Sequence, residues 1–68
     1  MKKGQYSIKE LRARKNISQE ELARLVNLTT RTIVSYENNI SALRNASYNN
    51  IEKIAKSLDV EISEIFLG

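Results

Sequence analysis

The segment Gln19–Asn38, QEELARLVNLTTRTIVSYEN, contains two short amphipathic patterns separated by a junction of three residues. In the first pattern Leu22 and Val26 are four residues apart, and in the second Ile33 and Tyr36 are three residues apart. Because an α-helix turns once every 3.6 residues, each pattern places its apolar side chains on one face. The segment therefore predicts two helices, each with one buried face.

The junction Val26-Asn27-Leu28 contains no glycine, yet its composition suits a sharp turn. Asn27 is, after glycine, among the residues that best tolerate the left-handed backbone conformation that such a turn requires. The small side chain of Ala23 allows the two helices to approach closely. Two helices joined in this way form a helix-turn-helix, a motif that places the start of its second helix in the DNA major groove.

Together with the residues around it, this segment resembles the phage repressor and Cro type of helix-turn-helix protein, a family that includes plasmid, restriction-controller and antitoxin regulators. The resemblance extends from Ile8 to Phe66. The residues that carry it are Ser18-Gln19-Glu20-Glu21-Leu22-Ala23, Thr29, Ile33, Tyr36-Glu37-Asn38, Ile51-Glu52-Lys53-Ile54-Ala55 and Leu58. It implies a compact, all-α, five-helix repressor-like domain with the helix-turn-helix at helices 2 and 3.

The 68 residues allow one small domain, assigned to residues 1–68 with a flexible basic N-terminus at 1–6. The absence of cysteine excludes disulfides and thiolate metal sites, and the absence of histidine removes the commonest metal ligand and proton base. We therefore expect no metal, no cofactor and no enzyme activity, and a reducing cytoplasmic location fits. No apolar run is long enough to span a membrane, and no small-molecule site is evident.

Charge is distributed unevenly along the chain. Residues 1–44 carry nine Lys or Arg against four Glu, giving +5, whereas residues 45–68 carry two Lys against four acidic residues, giving −2. The basic part contains the predicted helix-turn-helix. This arrangement supports double-stranded DNA as a partner, because its phosphates attract a basic surface.

A repeated local pattern marks the helix starts: an apolar residue, a capping residue, and another apolar residue four positions after the cap. It predicts five helices, at 7–15, 18–26, 29–38, 47–58 and 61–67, and no strand is predicted. The caps of the first four are Ser7, Ser18, Thr29 and Ser47. Glu61 is a weaker cap for the fifth. Glu10 and Glu21 each stand three residues after a cap serine, which predicts two complete capping boxes.

The connection 39–46 is the only long one between the predicted helices, and two interpretations of it are compatible. In one, Leu43 or Ile40 packs back onto the core. In the other, the loop reaches the DNA backbone through Arg44 and Asn45, as the equivalent connection does in relatives. Three positions where the family usually has glycine are candidates for positive φ, namely Asn27, Asn39 and Asp59.

Base contacts are expected from the second helix of the motif, whose first turn and outward positions face base edges when it lies in the major groove. By resemblance, Thr30, Arg31 and Ser35 align with the base-contacting positions of the family. The chemistry of these side chains agrees with that role. Arg31 can donate two hydrogen bonds to guanine, Thr30 can contact a thymine methyl group, and Ser35 can bond to either base of a pair.

Phosphate contacts are expected from the start of helix 2 and from the segment after helix 3, because helix N-termini offer free N–H groups and a favourable dipole to anions. The candidates are Gln19, Thr29, Asn38, Arg44 and Asn45. Gln19 follows the Ser18 cap, where relatives bind a phosphate. The resemblance also implies a structural ion pair between Arg12 and Glu37.

The resemblance implies a sequence-specific transcriptional regulator of double-stranded DNA, a repressor or autoregulator that binds a palindromic operator as a homodimer. Two copies are expected because one helix contacts only a few base pairs. Ile62 and Ile65 are expected in the core, whereas Phe66 and Leu67 are candidates for a dimer interface or for the core. An alternative function keeps the fold but makes protein binding the main role, as in an antitoxin or a regulatory subunit, through the 40–43 loop and the apolar C-terminus.

Overall fold

A computed structural model describes residues 4–68, which form five α-helices and one 3-10 turn. The helices are α1 (Ile8–Lys15), α2 (Gln19–Leu25), α3 (Thr30–Asn38), α4 (Ile40–Arg44) and α5 (Tyr48–Ser57), and the 3-10 turn is Ile62–Glu64. Between residues 4 and 68 the only β pairing is one isolated parallel bridge that joins Tyr6 to Ile65. The predicted all-α class is therefore confirmed.

Side-chain caps begin four of the helices where the sequence predicts them. Ser7, Ser18, Thr29 and Ser47 are the N-caps of α1, α2, α3 and α5, and each accepts a hydrogen bond from the backbone N–H three residues later. The capping box of α1 is complete, because the N–H of Ser7 donates to Glu10 Oε1 at 2.9 Å. The second predicted box does not close, since the Glu21 carboxylate accepts a bond from Arg24 Nη2 at 3.2 Å instead.

The connection 39–46 contains a helix, α4, that the sequence pattern did not predict. Asn39 has φ −139° and is its N-cap, so the expectation of positive φ at this residue is wrong. Its Oδ1 accepts hydrogen bonds from the N–H groups of Ser41 at 3.0 Å and Ala42 at 3.3 Å. Leu43 packs into the core, whereas Ile40 stays 38% exposed. Leu43 is therefore the residue that attaches this connection to the core.

The segment predicted as a fifth helix at 61–67 is shorter than expected and ends in extended backbone. Here the N–H of Tyr6 donates to the carbonyl of Glu64 at 2.8 Å, and the N–H of Phe66 donates to the carbonyl of Tyr6 at 2.9 Å. A backbone N–H that binds Tyr6 is not available to extend a helix. Within the predicted flexible N-terminus at 1–6, Tyr6 is thus hydrogen-bonded on both sides, and residues 1–3 lie outside the described residues.

In the described part of the chain, three non-glycine residues adopt positive φ and end helices without glycine. Asn27 (φ 58°) and Asp59 (φ 62°) do so as predicted, and Asn16 (φ 57°) is a third that was not expected. At Asn16 the chain leaves α1, and the N–H of Ile17 donates to the carbonyl of Arg12 at 3.2 Å. This bond satisfies one of the carbonyls that a helix C-terminus leaves unpaired.

Among residues 4–68, twelve buried apolar residues form one core to which every α-helix contributes. They are Ile8, Leu11, Leu22, Ala23, Val26, Ile33, Leu43, Ile51, Ile54, Ala55, Leu58 and Ile65. Counted over backbone and side chain together, no polar or charged residue of the described chain is buried. Burying a side chain such as Ile33 contributes about 1.5–3 kcal/mol, so the helices hold one another in place through this cluster.

Candidate nucleic-acid interface

The turn between α2 and α3 is short and fixed at both of its sides. Val26 is 1% exposed and anchors the end of α2 in the core. Asn27 takes the left-handed conformation, and the N–H of Leu28 then donates to the carbonyl of Ala23 at 2.9 Å. Thr29 follows as the N-cap of α3. The direction in which α3 leaves the turn is therefore set by the backbone rather than by a flexible linker.

Helix α3 has one face in the core and another in solvent. Ile33 is 0% exposed, whereas Arg31 and Ser35, which lie one turn apart, are exposed. Thr30, the third predicted base-contacting residue, is half-buried. No side chain of these three forms an ion pair or hydrogen bond with another described residue. Their polar groups are thus uncommitted within residues 4–68.

Thr29 combines a capping role with a contact to the next turn. Its Oγ1 accepts from the N–H of Thr32 at 3.1 Å and lies 2.9 Å from Thr32 Oγ1. Each threonine has one hydroxyl proton, and only one of the two protons is used in the bond between the hydroxyls, so the other remains available. The pair therefore begins α3 and keeps a hydrogen-bond donor next to the predicted phosphate position.

Arg12 and Glu37 form a bidentate ion pair that joins α1 to the end of α3. Arg12 Nε donates to Glu37 Oε2 at 2.6 Å, and Nη2 donates to Oε1 at 3.0 Å. The guanidinium also donates from Nη1 to the carbonyl of Ile17 at 3.0 Å. The side chains are 14% and 3% exposed, respectively. Two parallel charge-assisted bonds fix distance and orientation together, so α3 is held against α1 at its C-terminal end.

Gln19 is a third member of this network, a role that the sequence did not predict. Its Nε2 donates to Glu37 Oε1 at 3.1 Å. An amide nitrogen carries two hydrogens, so one remains for another acceptor. The bond to Glu37 therefore orients the Gln19 amide group at the start of α2 and leaves one of its two N–H donors free. A glutamine directly after a cap serine was the only local sequence signal, since the partner is 18 residues away.

The pKa of Glu37 is set by opposing effects in this network. Burial raises the pKa of its carboxyl. Hydrogen bonds from Arg12 and Gln19, together with the positive charges of Arg12 and Lys9, lower the pKa by more than burial raises it, so the net shift is downward. The hydrogen bond to Glu37 in turn raises the pKa of Arg12. Both residues therefore keep their charges in the folded state.

The other predicted phosphate-contacting residues lie at the ends of α3 and α4. Asn38 is the last residue of α3, Arg44 is the last of α4, and Asn45 is the C-cap of α4; all three are exposed. A bond that the sequence did not predict ties this region to α5, because Asn50 Nδ2 donates to the Tyr36 hydroxyl at 3.3 Å. The end of α3 is thus attached both to α1 and to α5.

Comparison with protein families decides how this arrangement is classified. The model of the Helix-turn-helix family HTH_3 matches residues 8–65, a span that includes all five α-helices and the α2–α3 turn. The chain belongs to this family. It is a DNA-binding helix-turn-helix protein of the phage repressor and Cro type, as the sequence resemblance predicts. The comparisons with curated proteins and with solved structures gave no significant match.

Membership of the HTH_3 family assigns DNA binding to the domain, whereas the roles of individual side chains stay predictions. Within residues 4–68 no cluster of acidic side chains is arranged to hold a metal ion. No described helix has the length and apolar character needed to cross a membrane.

Proposed function

We propose that the chain is a transcriptional repressor or autoregulator that occupies a palindromic operator as a homodimer. The observation that carries the proposal is α3, which Ile33 fixes to the core while Arg31 and Ser35 remain exposed and uncommitted. The major groove is about 12 Å wide and accepts one α-helix. Binding there obstructs other proteins on the same DNA, which requires no catalysis.

The base contacts follow from the position of each side chain on α3. Arg31, in the first turn, donates two hydrogen bonds to the O6 and N7 atoms of a guanine. Ser35, one turn later, donates to or accepts from the adjacent base edge. Thr30, which is half-buried, contributes an apolar contact between its methyl group and that of a thymine. Arg31 supplies the largest part of the discrimination, because a bidentate bond fixes geometry as well as charge.

The phosphate contacts flank α3 on both sides. Gln19 uses its second amide hydrogen, and Thr29 uses its own hydroxyl proton, which is free when Thr32 is the donor in the bond between the two threonines. Asn38, Arg44 and Asn45 contact the backbone beyond the end of α3. These bonds carry no sequence information, but they fix the register in which Arg31 meets the bases.

A homodimer places two copies of α3 on half-sites about one helical turn apart, which gives the operator its palindromic form. Phe66 and Leu67 are the predicted interface residues. Phe66 is 44% exposed, whereas Leu67 is partly buried against the core. Phe66 is therefore the better placed of the two, although a single ring supplies little of an interface.

The salt dependence of binding tests whether DNA or another protein is the main partner. We expect the chain to bind random duplex measurably at about 50 mM salt and to lose about 10³-fold or more in affinity by about 200 mM, because phosphate contacts release counterions. Fluorescence anisotropy of a labelled duplex measures this slope. No measurable binding at the lower salt would instead favour a protein-interaction role through the exposed Ile40 and Phe66.

Replacing Arg31 by alanine tests base reading directly. We expect Arg31→Ala to weaken binding to the operator by about 1–3 kcal/mol and to relax the preference at one base pair, with the fold intact. The operator is first obtained by selecting bound duplexes from a random pool with the wild-type protein. Arg24→Ala is the matched control, because Arg24 is an exposed arginine of α2 that pairs with Glu21. Equal losses on operator and random DNA would show that Arg31 contacts phosphate.

A further inference from the structure

Helix α5 carries a groove that no described residue covers. The groove has a volume of about 290 Å³, and its lining includes Tyr48, Glu52, Ala55, Lys56, Val60 and Ile62. Tyr48 is 68% exposed, the most of any large apolar side chain in the described part of the chain. Tyrosine is enriched at protein interfaces, where its ring fills a pocket and its hydroxyl stays hydrated.

Three charged residues line this groove: Glu61 has an interaction of its own, whereas two of opposite charge have no partner among residues 4–68. Glu52 and Lys56 are one helical turn apart on α5, yet no ion pair joins them to each other or to another described residue. A glutamate four residues before a lysine is the favourable order for pairing on an isolated helix. Because Glu52 and Lys56 do not pair with each other, a negative group and a positive group, one on each side of Ala55, are available to bind a partner.

We propose that a second copy of this chain covers the groove, with the two α5 helices packed antiparallel about a two-fold axis. The inference deepens the homodimer in the proposed function and rests on it. When the two-fold axis passes midway between Glu52 and Lys56, Glu52 faces Lys56 of the second copy, and symmetry then makes Lys56 face the second Glu52. The same register brings Tyr48 beside Val60 of the other copy. The surface is thus complementary to itself, as a two-fold interface requires.

The floor of the groove allows the two helices to come close. Ala55 is only 2% exposed and ends in a single methyl group, so the floor itself places no long side chain between the helix axes, and the longer side chains of Glu52 and Lys56 stand on either side of it. Packed helices lie about 8–10 Å apart when the contact residues permit it. Val60 and Ile62, partly buried already, add apolar area at the two ends where the Tyr48 rings settle.

The size of this contact predicts a weak dimer. One helix face per copy is small beside the roughly 1,600 Å² buried by a standard interface. We therefore expect dissociation at low protein concentration in free solution and much tighter association on an operator, because DNA holds both copies at high effective concentration.

Charge reversal tests the antiparallel register in the 68-residue chain. Glu52→Lys places two lysines face to face at both symmetric contacts, and Lys56→Glu places two glutamates there. We expect each variant alone to weaken the dimer at least about tenfold in sedimentation equilibrium, because like charges across an interface repel. An equimolar mixture of the two variants restores opposite charges at both contacts. We expect the mixture to form a heterodimer with affinity close to that of the wild-type homodimer.

Recovery in the mixture distinguishes a contact between two chains from an effect within one helix. Each chain in the mixture still carries its own substitution, so an effect within one helix would persist. Thermal melting of each variant shows whether the fold is intact. Glu20→Lys, a reversal at an exposed residue of α2, is the matched control and should leave the dimer unchanged. A wild-type chain that stays monomeric at millimolar concentration, or variants whose mixture does not recover, would overturn the proposal. Salt-dependent DNA binding by such a monomer would leave the proposed function standing, whereas a charge-dependent dimer without DNA binding would remove that function alone.

Discussion

Glu37→Ala is expected to destabilise the fold by about 3–5 kcal/mol, because it leaves the Arg12 guanidinium charged, largely buried and deprived of its partner. The Arg12 side chain is only 14% exposed, and after the change its remaining bond is the one to the Ile17 carbonyl. The loss exceeds what the intact pair contributes relative to apolar packing, since removing one partner strands the other charge. Urea denaturation followed by circular dichroism measures the difference.

The control for this prediction is Glu21→Ala, which breaks the exposed pair with Arg24. There the side chains are 46% and 71% exposed, and a surface pair contributes at most about 1 kcal/mol. Similar losses for the two variants would mean that the Arg12–Glu37 pair is hydrated in solution.

The same substitution predicts a pH dependence. The pKa of Glu37 is lowered in the folded state, so its ionisation stabilises the fold at pH values above the ordinary glutamate pKa of about 4.3. This contribution is lost as the pH falls through the lowered pKa. The gap between wild type and Glu37→Ala should therefore be full at pH 7 and shrink in acid, and a constant gap would contradict this assignment.

Ile33→Ala is expected to cost about 2–5 kcal/mol, because Ile33 is 0% exposed and is the only fully buried residue of α3. A chain of this length is stable by roughly 3–10 kcal/mol, so the variant loses a large part of its folded population. DNA binding should fall with it, because α3 no longer has a fixed position.

Ile40→Ala makes the same chemical change at a residue that is 38% exposed, and we expect it to cost less than about 1 kcal/mol. Chemical denaturation at low temperature compares the two variants. If Ile33→Ala is as mild as Ile40→Ala, α3 does not depend on this side chain for its attachment to the core.

The features of the fold that local chemistry determines could be predicted from the sequence. A serine or threonine cap acts within three residues, so the pattern of neighbouring residues was enough to place Ser7, Ser18, Thr29 and Ser47 at helix starts. Positive φ at Asn27 followed equally well from the turn that two closely spaced helices require.

What the sequence did not reveal depends on partners that are distant or on a competition between local roles. Asn39 occupies a usual glycine position, but its side chain caps α4 instead, and the three-residue spacing of Ile40 and Leu43 was the available signal. The shortened end of the chain depends on Tyr6, about 60 residues away, which no local pattern shows.

The candidate site shows the same division. The Arg12–Glu37 pair is present where the family resemblance implied it, because two helix positions fix it. The bond from Gln19 to Glu37 was missed, since it requires knowing how α2 and α3 cross. The exposed positions of Arg31 and Ser35 follow from helical periodicity once Ile33 is buried, although the bases they contact stay predictions.

The bridge between Tyr6 and Ile65 bears on the order in which the chain folds. Most helix contacts join neighbours in the sequence, whereas this pairing must close almost the whole chain into a loop, at an entropic cost that grows with loop length. We expect it to form late, after the helices have assembled. Its two hydrogen bonds would then slow unfolding without accelerating folding, so they lengthen the lifetime of the native state. Amide exchange at Tyr6 and Phe66 that matches global unfolding would show that the two ends separate only when the whole domain opens.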